Sequence, residues 1–491
     1  MRSPARSGDG MWTAAIVAVT VVAAILRWIN LGGGLWVDEM YSLVESFRIP
    51  FGTLLTTFTG DTQHPLYSAL ANRAVTWLGE SNRVIRLPAF LAGVATVPAV
   101  YVLGRRWVSR GEALAAALLL AVSYHHVWFS QNARGYTMIA LATVLSTHLL
   151  LRILEQGRPR DVLAYAVVVG LGAYTHLTMV FAAFGHALVL AGLQLVPDSA
   201  GRRFRTWRLP ALALVGSAVV TVLLYAPMLD DVLNFFLNRP SRLRGISTPA
   251  WAVAELGRVL STGVGAGPGL LAGAALFFVG VASYARKSPL ACALFVVPGF
   301  VTILGALAAR GTMYPRFFFF LVGFAFLILA RGVFATSAWV AARLVSDPER
   351  ARVRSGQGAA VAVALIALVF VRSLGYNYAY PKQDWVGTAA WVDANVPADE
   401  PIVTAGVSVW PFEHYLPRPW QAIPDGEDAR VSALRAQGPV WVVYVFPRYL
   451  ESTHPDLARQ VESECEARQQ FDGTLGSGDI YACRLPPRPQ T

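Results

Sequence analysis

The sequence predicts an α-helical polytopic membrane protein of about eleven transmembrane helices, followed by a small α/β domain. Of its 491 residues, 55% are apolar and only 14% are charged, whereas soluble domains carry about 25% charged residues. Apolar runs of about 17 to 25 residues recur along the first three quarters of the chain. The last quarter instead alternates short apolar runs with polar ones. This composition excludes disordered, collagen-like and disulfide-scaffold proteins.

The predicted spans are the apolar runs that can cross about 30 Å of hydrocarbon. They lie near residues 11–29, 84–103, 112–129, 135–154, 162–176, 177–196, 209–228, 264–284, 289–309, 317–343 and 357–373. Arginines precede the first span and no small-residue cleavage pattern follows it, so we expect a retained signal anchor rather than a cleaved signal peptide.

Arginine-rich connections alternate with arginine-poor ones, which predicts the orientation because positively charged short loops stay cytoplasmic. The basic groups fall near residues 105–110, 152–160, 202–208, 286–287 and 350–354, in every second connection. We therefore expect a cytoplasmic N-terminus. The connections 30–83, 130–134, 229–263 and 310–316 and the C-terminal tail are then extracytoplasmic.

The predicted domain boundary lies where the last span ends. Residues 1–373 form the transmembrane module, with a long outer loop at 30–83, and residues 374–491 form a soluble extracytoplasmic α/β domain. In the latter, residues 384–396 have a helical pattern, and 400–407, 438–446 and 478–485 have strand patterns. Cys465 and Cys483 both lie in this part, so an oxidising compartment would allow them to form a disulfide between neighbouring strands.

Two adjacent acids, Asp38 and Glu39, lie where the chain leaves the first predicted span. An enzyme that acts on a lipid-borne substrate needs a general base at this level of the membrane. A solvated loop acid or a helix N-cap would also explain an isolated acidic pair. His64, which precedes Pro65 at the start of a predicted helix, is a second candidate, although a single histidine is often only a structural hydrogen-bonding group.

Four arginines fall on the predicted outer side near span ends, against the trend that keeps positive charge inside. A guanidinium kept there suits a fixed anion, and phosphate is a natural partner because its oxygens match the guanidinium bidentately. Extension of each side chain to lipid headgroups is the alternative. The four are Arg86, Arg134, which is near Tyr136, Arg310 and Arg316.

Metal and nucleotide sites are not expected. The histidines fit no ligand spacing, and neither an HExxH motif nor a Walker-type glycine loop is present. The formal net charge of +11 is carried almost entirely by arginine, which we attribute to a GC-rich genome rather than to a nucleic-acid partner. ATP-driven transport and zinc proteolysis are therefore not predicted.

Six motifs occur in an order that resembles one bacterial group of enzymes. They are WVDEMYS, QHPLY, IRLPAFLAGV, FSQNARGYTM, MYPRFFFF and KQDWVGTAAWV. Together they resemble the dolichyl-phosphate-mannose/protein-mannosyltransferase-like glycosyltransferases of the multi-pass C-type fold. That group includes the aminoarabinose transferase of lipid A. The resemblance covers most of the chain.

The resemblance implies an inverting glycosyltransferase of the bacterial cytoplasmic membrane. Its partners would be a polyprenyl-phosphate sugar donor, an acceptor glycan, lipid or protein, and membrane lipids, with no cofactor and no metal. Asp38 matches the family's catalytic base, and Glu39 matches a second acid that is acceptor-positioning or structural. The implied substrate-binding residues are His64, Tyr67, Arg86, Arg134, Tyr136, Arg310 and Arg316. One proline, Pro65, stands where the family has two, and Phe317 replaces the family's tyrosine after Arg316.

Two other classes of protein share some of these features. A flippase or secondary transporter also uses multi-pass folds with intramembrane arginines, but it predicts broken helices at mid-membrane and an inverted repeat that this sequence does not show. A glycan-binding tail on a mere anchor would not need so many spans. The residues leave open the sugar, the acceptor, any assistance by a divalent metal, the role of the C-terminal domain and the oligomeric state.

Overall fold

The computed structural model describes residues 6–60, 62–195, 207–238, 249–265, 267–308, 314–474 and 478–488. Its first part is helical. The helices are α1 (Arg6–Trp28), α2 (Val37–Ser42), α3 (Phe51–Thr56), α4 (Pro65–Leu78), α5 (Asn82–Gly104), α6 (Arg110–Ala121), α7 (Tyr124–Ser130), α8 (Tyr136–Gln156), α9 (Pro159–Thr175), α10 (Met179–Leu195), α11 (Arg208–Tyr225), α12 (Leu229–Leu237), α13 (Pro249–Val264), α14 (Pro268–Lys287), α15 (Pro289–Ala308), α16 (Val322–Leu344) and α17 (Pro348–Ala379). A π-helical turn, Leu43–Phe47, follows α2, and 3₁₀ turns precede α12 and α16 at Ala226–Met228 and Pro315–Leu321.

The predicted membrane-spanning class is confirmed. Within the described ranges, eight helical stretches are long and apolar enough to cross a membrane, and the bent pair α6 and α7 makes a ninth. The two remaining predicted spans correspond to α9 and α10, which have 17 residues each. At 1.5 Å per residue such helices are about 26 Å long, close to the hydrocarbon thickness. Of the eight stretches, those that contain α8, α16 and α5 are the most buried, so these helices form the centre of the bundle.

The third predicted span, 112–129, is broken. Helix α6 ends at Ala121 and α7 begins at Tyr124, with a bend of 59° between them. Ser123 forms the new N-terminus, because its Oγ accepts a hydrogen bond from the His126 amide at 3.4 Å. A side-chain cap of this kind satisfies an amide that has no partner inside the helix.

Arg27, near the end of α1, satisfies the carbonyls that this break exposes. Its buried guanidinium donates to the carbonyls of Ala121 at 2.9 Å and Leu120 at 3.3 Å. It also donates to Ser130 Oγ at 3.1 Å and lies 2.6 Å from His126 Nδ1. Because the last carbonyls of a helix carry partial negative charge, a cation fits this position without a carboxylate.

Replacing Arg27 by methionine is expected to destabilise the fold by about 2 kcal/mol, since buried carbonyls lose their donors. The melting temperature of purified protein in detergent should fall clearly below that of wild type. Arg105→Met, which removes an exposed arginine from the connection between α5 and α6, is the control. Equal melting temperatures for the two variants would contradict the bridging role of Arg27.

The C-terminal part contains a five-stranded sheet. Its helices are α18 (Trp385–Asn395), α19 (Val409–Tyr415), α20 (Ala429–Arg435), α21 (Pro447–Thr453) and α22 (Pro455–Ser463). The strands are β1 (Ile402–Ala405), β2 (Gln421–Ile423), β3 (Val440–Val445), β4 (Ala467–Phe471) and β5 (Ile480–Leu485), in the order β2-β1-β3-β5-β4. β1 pairs parallel with β2 and β3, whereas β5 pairs antiparallel with β3 and β4.

The three predicted strands are β1, β3 and β5, and the predicted helix is α18. The sequence patterns missed β2 and β4, because both are edge strands whose exposed side chains remove the apolar signal. The last membrane helix, α17, continues to Ala379 and so runs past the predicted boundary at residue 373. Cys465, just before β4, is joined in a disulfide to Cys483 of β5, with 5.7 Å between their Cα atoms.

Candidate functional site

Asp38 lies in the first turn of α2, at the start of the long connection between α1 and α5. The carboxylate is about 25% exposed, and its Oδ2 lies 3.5 Å from Arg316 Nη1. Ser42, one turn later, donates from its Oγ to the Asp38 carbonyl at 2.9 Å. The Asp38 carboxylate is therefore accessible, as a general base must be to reach the hydroxyl group of a docked acceptor.

Glu39, the next residue, is fully buried and is surrounded by donors. Its Oε1 accepts from Arg86 Nε at 2.7 Å and from the Ala133 amide at 2.6 Å. Its Oε2 accepts from Arg86 Nη2 at 2.8 Å and from the Trp36 amide at 2.9 Å, and Lys382 Nζ is 3.5 Å away. These contacts make Glu39 the anchor of α2.

Burial would raise the pKa of Glu39, but the charges of Arg86 and Lys382 outweigh that effect. Together with the hydrogen bonds from Arg86 and the Trp36 amide, they lower the pKa of Glu39 to about 2. Glu39 thus stays ionised over the whole physiological range. Of the two alternatives for this acid, the structural one fits the geometry, because no carboxylate oxygen is left to face a substrate.

Arg86, which the sequence predicted to bind substrate, has its donors engaged by the protein itself. Arg86 makes five donor contacts, two of them to Glu39. The other three go to the carbonyls of Leu31, Gly33 and Gly34 at 2.8 to 2.9 Å. A guanidinium has five N–H groups, so none remains for a ligand. Arg86 therefore belongs to the scaffold that holds Glu39.

Tyr67 has a comparable scaffold position. Its side chain is completely buried, and its hydroxyl donates to the Ile85 carbonyl at 2.6 Å. The ring packs against Phe47, with 6.1 Å between the ring centroids. Substrate binding by Tyr67 stays a prediction, and these contacts are structural ones. The tyrosine ties the start of α4 to α5.

Arg134 is buried, and no carboxylate of the described residues pairs with it. It is 4% exposed, and Nη1 donates to Ser42 Oγ at 3.0 Å. Among the residues that the structure describes, Nε has no hydrogen-bond partner, and the guanidinium forms no ion pair. Burying a charge without a counter-ion is costly, so this site is suited to an anionic ligand.

His64 lies beside Arg134 and has one free donor. Its Nδ1 accepts from the Gly135 amide at 3.0 Å, which places the ring proton on Nε2. Within the described part of the chain, Nε2 has no partner although the side chain is only 2% exposed. Burial, then Arg134, His176 and Arg316, lower the pKa of His64 well below its usual value. His64 is therefore a neutral N–H donor.

His176, at the end of α9, is a site residue that the sequence interpretation missed. Its ring centroid is 4.8 Å from that of His64 and 5.8 Å from that of Tyr136. Its Nδ1 accepts from the Thr178 amide at 3.1 Å, so its proton also lies on Nε2. The polar run THLT at the end of an apolar segment was the available signal.

We call Arg134, Arg316, His64 and His176 the anion pocket. Tyr136 and Phe317 line it, since the Tyr136 ring lies 5.2 Å from His64 and the Phe317 ring lies 6.0 Å from His176. Arg316 lies on the 3₁₀ turn before α16, with its guanidinium 4.6 Å from the Tyr314 ring. Arg310, the remaining predicted cation, lies outside the described residues.

Gly135, at the N-cap of α8, allows this close packing. A Cβ at this position would lie 2.8 Å from His64 Nδ1 and closer still to Thr175. Any larger residue would therefore separate His64 from the backbone amide that fixes its tautomer. In the described ranges, no group of three or more His, Cys, Asp or Glu side chains is arranged to hold a metal ion.

A bundle of membrane-length helices is followed by a terminal five-stranded sheet. This is the C-type fold of the multi-pass glycosyltransferases. Residues 63–229 match the family described as dolichyl-phosphate-mannose-protein mannosyltransferase. The resemblance seen in the sequence motifs is thereby confirmed. No curated protein sequence matches the chain.

Solved structures of membrane glycosyltransferases share the fold over nearly the whole chain. ArnT from Cupriavidus metallidurans in the apo state matches with a TM-score of 0.56 and 14% identity, over 97% of this chain and 98% of its own. The same protein bound to undecaprenyl phosphate gives 0.51 at 14% identity, over 98% of each chain. The archaeal oligosaccharyltransferase AglB from Archaeoglobus fulgidus, with an inhibitory peptide and dolichol-phosphate, gives 0.53 at 16% identity, over 93% of this chain and 73% of its own.

Proposed function

We propose that this protein is an inverting glycosyltransferase that moves a sugar from a polyprenyl-phosphate donor to an acceptor hydroxyl. The observation that carries the proposal is Arg134, a buried cation for which the described residues supply no counter-ion. It belongs to the anion pocket, whose Arg316 lies 3.5 Å from Asp38 Oδ2. A phosphodiester supplies the missing negative charge. Structures of the same fold hold undecaprenyl phosphate and dolichol-phosphate, which supports a lipid-linked donor.

The chemistry requires few groups. Asp38 takes the proton of the acceptor hydroxyl while its oxygen attacks the anomeric carbon of the sugar. The bond between that carbon and the phosphate oxygen breaks, and the polyprenyl phosphate leaves as an anion with both bonding electrons. One displacement inverts the anomeric centre. Because the leaving group is already a weak base, no general acid is needed.

The anion pocket stabilises the charge that develops on the leaving phosphate. Arg134 and Arg316 supply positive charge, while the Nε2–H groups of His64 and His176 donate hydrogen bonds without adding charge. Fixed donors in a buried site need no reorganisation as the bond breaks. In this scheme Asp38 acts on the acceptor and the pocket acts on the donor.

We also propose the orientation and location that the arginine pattern indicates. The site lies at the ends of α8 and α9 that are opposite the arginine-rich connections. With those connections cytoplasmic, the site and the C-terminal sheet face the outer side of the bacterial cytoplasmic membrane. A donor anchored in the outer leaflet and an acceptor glycan, lipid or protein outside the cell then reach the same carboxylate.

The proposal is tested with synthetic polyprenyl phosphates that carry different radiolabelled sugars. Membranes containing the protein are compared with membranes lacking it and with membranes containing Asp38→Ala. We expect transfer from at least one donor that requires both the protein and Asp38. Neither transfer nor hydrolysis of any donor by correctly folded protein would contradict a glycosyltransferase.

Arg134→Gln is expected to lower kcat/KM for the donor about 100-fold, because a charge-assisted contact to the phosphate is lost in a buried site. Steady-state kinetics with the donor identified above provide the measurement. Arg258→Gln is the control, since Arg258 is exposed on α13 and pairs with Glu255 of the same helix. An unchanged kcat/KM in folded Arg134→Gln would show that the phosphate binds elsewhere.

A further inference from the structure

The segment that connects α17 to α18 reaches back to the helix that carries Asp38. Gln383, in this segment, is 2% exposed. Its Oε1 accepts from the Val37 amide at 2.7 Å and from Trp385 Nε1 at 3.3 Å. Both partners are donors, so they fix which end of the Gln383 amide faces α2. Val37 is the residue directly before Asp38.

The contact between Val37 and Gln383 supplies a hydrogen-bond acceptor for an amide in the first turn of α2. The first amides of a helix have no partner inside it. Glu39 accepts from the Trp36 amide, and Gln383 accepts from the Val37 amide. One of the two caps of α2 therefore comes from about 346 positions further along the chain. Without it, the first turn of α2 would keep a buried amide without a partner.

Lys382 makes a second contact between the same segment and α2. Its side chain is 8% exposed, and Nζ lies 3.5 Å from Glu39 Oε2. The ammonium group also donates to the Gln131 carbonyl and lies 4.8 Å from the ring centroid of Trp128. Lys382 thus ties Glu39 to α7 and to the residue that follows it.

The segment itself is fixed at both sides. Asn377, near the end of α17, donates to Gln131 Oε1 at 3.0 Å. The Thr474 amide donates to the Lys382 carbonyl at 3.4 Å, and Thr474 Oγ1 accepts from Trp128 Nε1 at 2.9 Å. Movement of α2 away from the pocket would break contacts to both the helical bundle and the C-terminal sheet region.

We propose that Gln383 and Lys382 are positioning residues that hold the first turn of α2, and with it the Asp38 carboxylate, in place for proton transfer. This inference rests on the proposed function. Displacing a reacting group by about 1 Å can cost about 100-fold in rate. A cap on the residue before the base is a direct means of avoiding such a displacement. The C-terminal segment thereby contributes to the rate without touching the substrate.

The kinetic test compares Gln383→Met, which removes the acceptor but keeps the length, with Gln383→Glu, which keeps an oxygen acceptor. We expect Gln383→Met to lower kcat about tenfold with the donor KM unchanged, and Gln383→Glu to recover most of the rate. Gln437→Met, at an exposed position after α20, is the matched control. A wild-type kcat in Gln383→Met, or an equal loss in both Gln383 variants, would overturn the inference.

A second measurement does not depend on activity. Hydrogen–deuterium exchange of a peptide covering residues 34–43 should be faster in Gln383→Met than in Gln437→Met, since the cap on Val37 is lost. Equal exchange would overturn the positioning role even if the protein transferred sugar. Faster exchange in a protein that transfers no sugar would support the role of Gln383 as a cap and reject the proposed function instead. If Gln383→Met does not fold, Gln383→Asn, which withdraws the acceptor by one carbon, takes its place with the same expected directions.

Discussion

Asp38→Asn is expected to lower kcat for sugar transfer by about 10² to 10⁴, because the amide cannot take the proton of the acceptor hydroxyl. The substitution keeps the shape of the side chain. The donor KM should change little, since the anion pocket, which we propose binds the donor phosphate, is intact. Initial rates with the donor identified by the panel, at saturating acceptor, provide the measurement.

The stability of Asp38→Asn should equal that of wild type. The Asp38 carboxylate is partly exposed, and its contact to Arg316 is 3.5 Å, so little free energy of folding depends on it. Asp393→Asn, on the exposed side of α18, is the matched control for both rate and melting temperature. Near-normal transfer by folded Asp38→Asn would assign the base to another residue.

Glu39→Gln is expected to destabilise the protein by about 3 to 5 kcal/mol, although it is the same acid-to-amide change as Asp38→Asn at the neighbouring position. Removing one member of a buried ion pair leaves the other charge uncompensated, here Arg86. The measurement is the denaturation midpoint in detergent, compared with wild type and Asp38→Asn. Equal midpoints for the two acid-to-amide variants would show that Glu39 is not an anchor.

The destabilisation caused by Glu39→Gln should decrease as the pH falls. The pKa of Glu39 is lowered in the folded protein from its ordinary value of 4.5 to about 2. The ionised group therefore stabilises the fold above about pH 4.5, and this contribution is lost as the pH falls through 2. The difference in stability between wild type and Glu39→Gln should be full at neutral pH and should shrink between pH 4.5 and 2.

Much of the fold was readable from the sequence because the membrane imposes a simple rule. Each predicted span is a long apolar run, and each falls on a helix or, at 112–129, on a bent pair of helices, since backbone amides inside a bilayer must be paired within the segment. The strands β1, β3 and β5 were also predicted, because they are buried and continuous. The break between α6 and α7 was not predicted. It depends on Arg27, which is distant in the sequence and donates hydrogen bonds to the carbonyls at the end of α6.

The sequence by itself determined which residue types are present for chemistry, and in particular the acidic pair and the arginines near span ends. Only the tertiary structure decided which of them face the site. Asp38 and Glu39 are adjacent, yet helical geometry directs one to the pocket and the other to the scaffold. Arg86 and Arg134 are both buried arginines. They differ because five acceptors surround Arg86, whereas the described part of the chain gives Arg134 no acceptor that carries negative charge. Such partners come from segments far apart in the chain, so no local pattern encodes them.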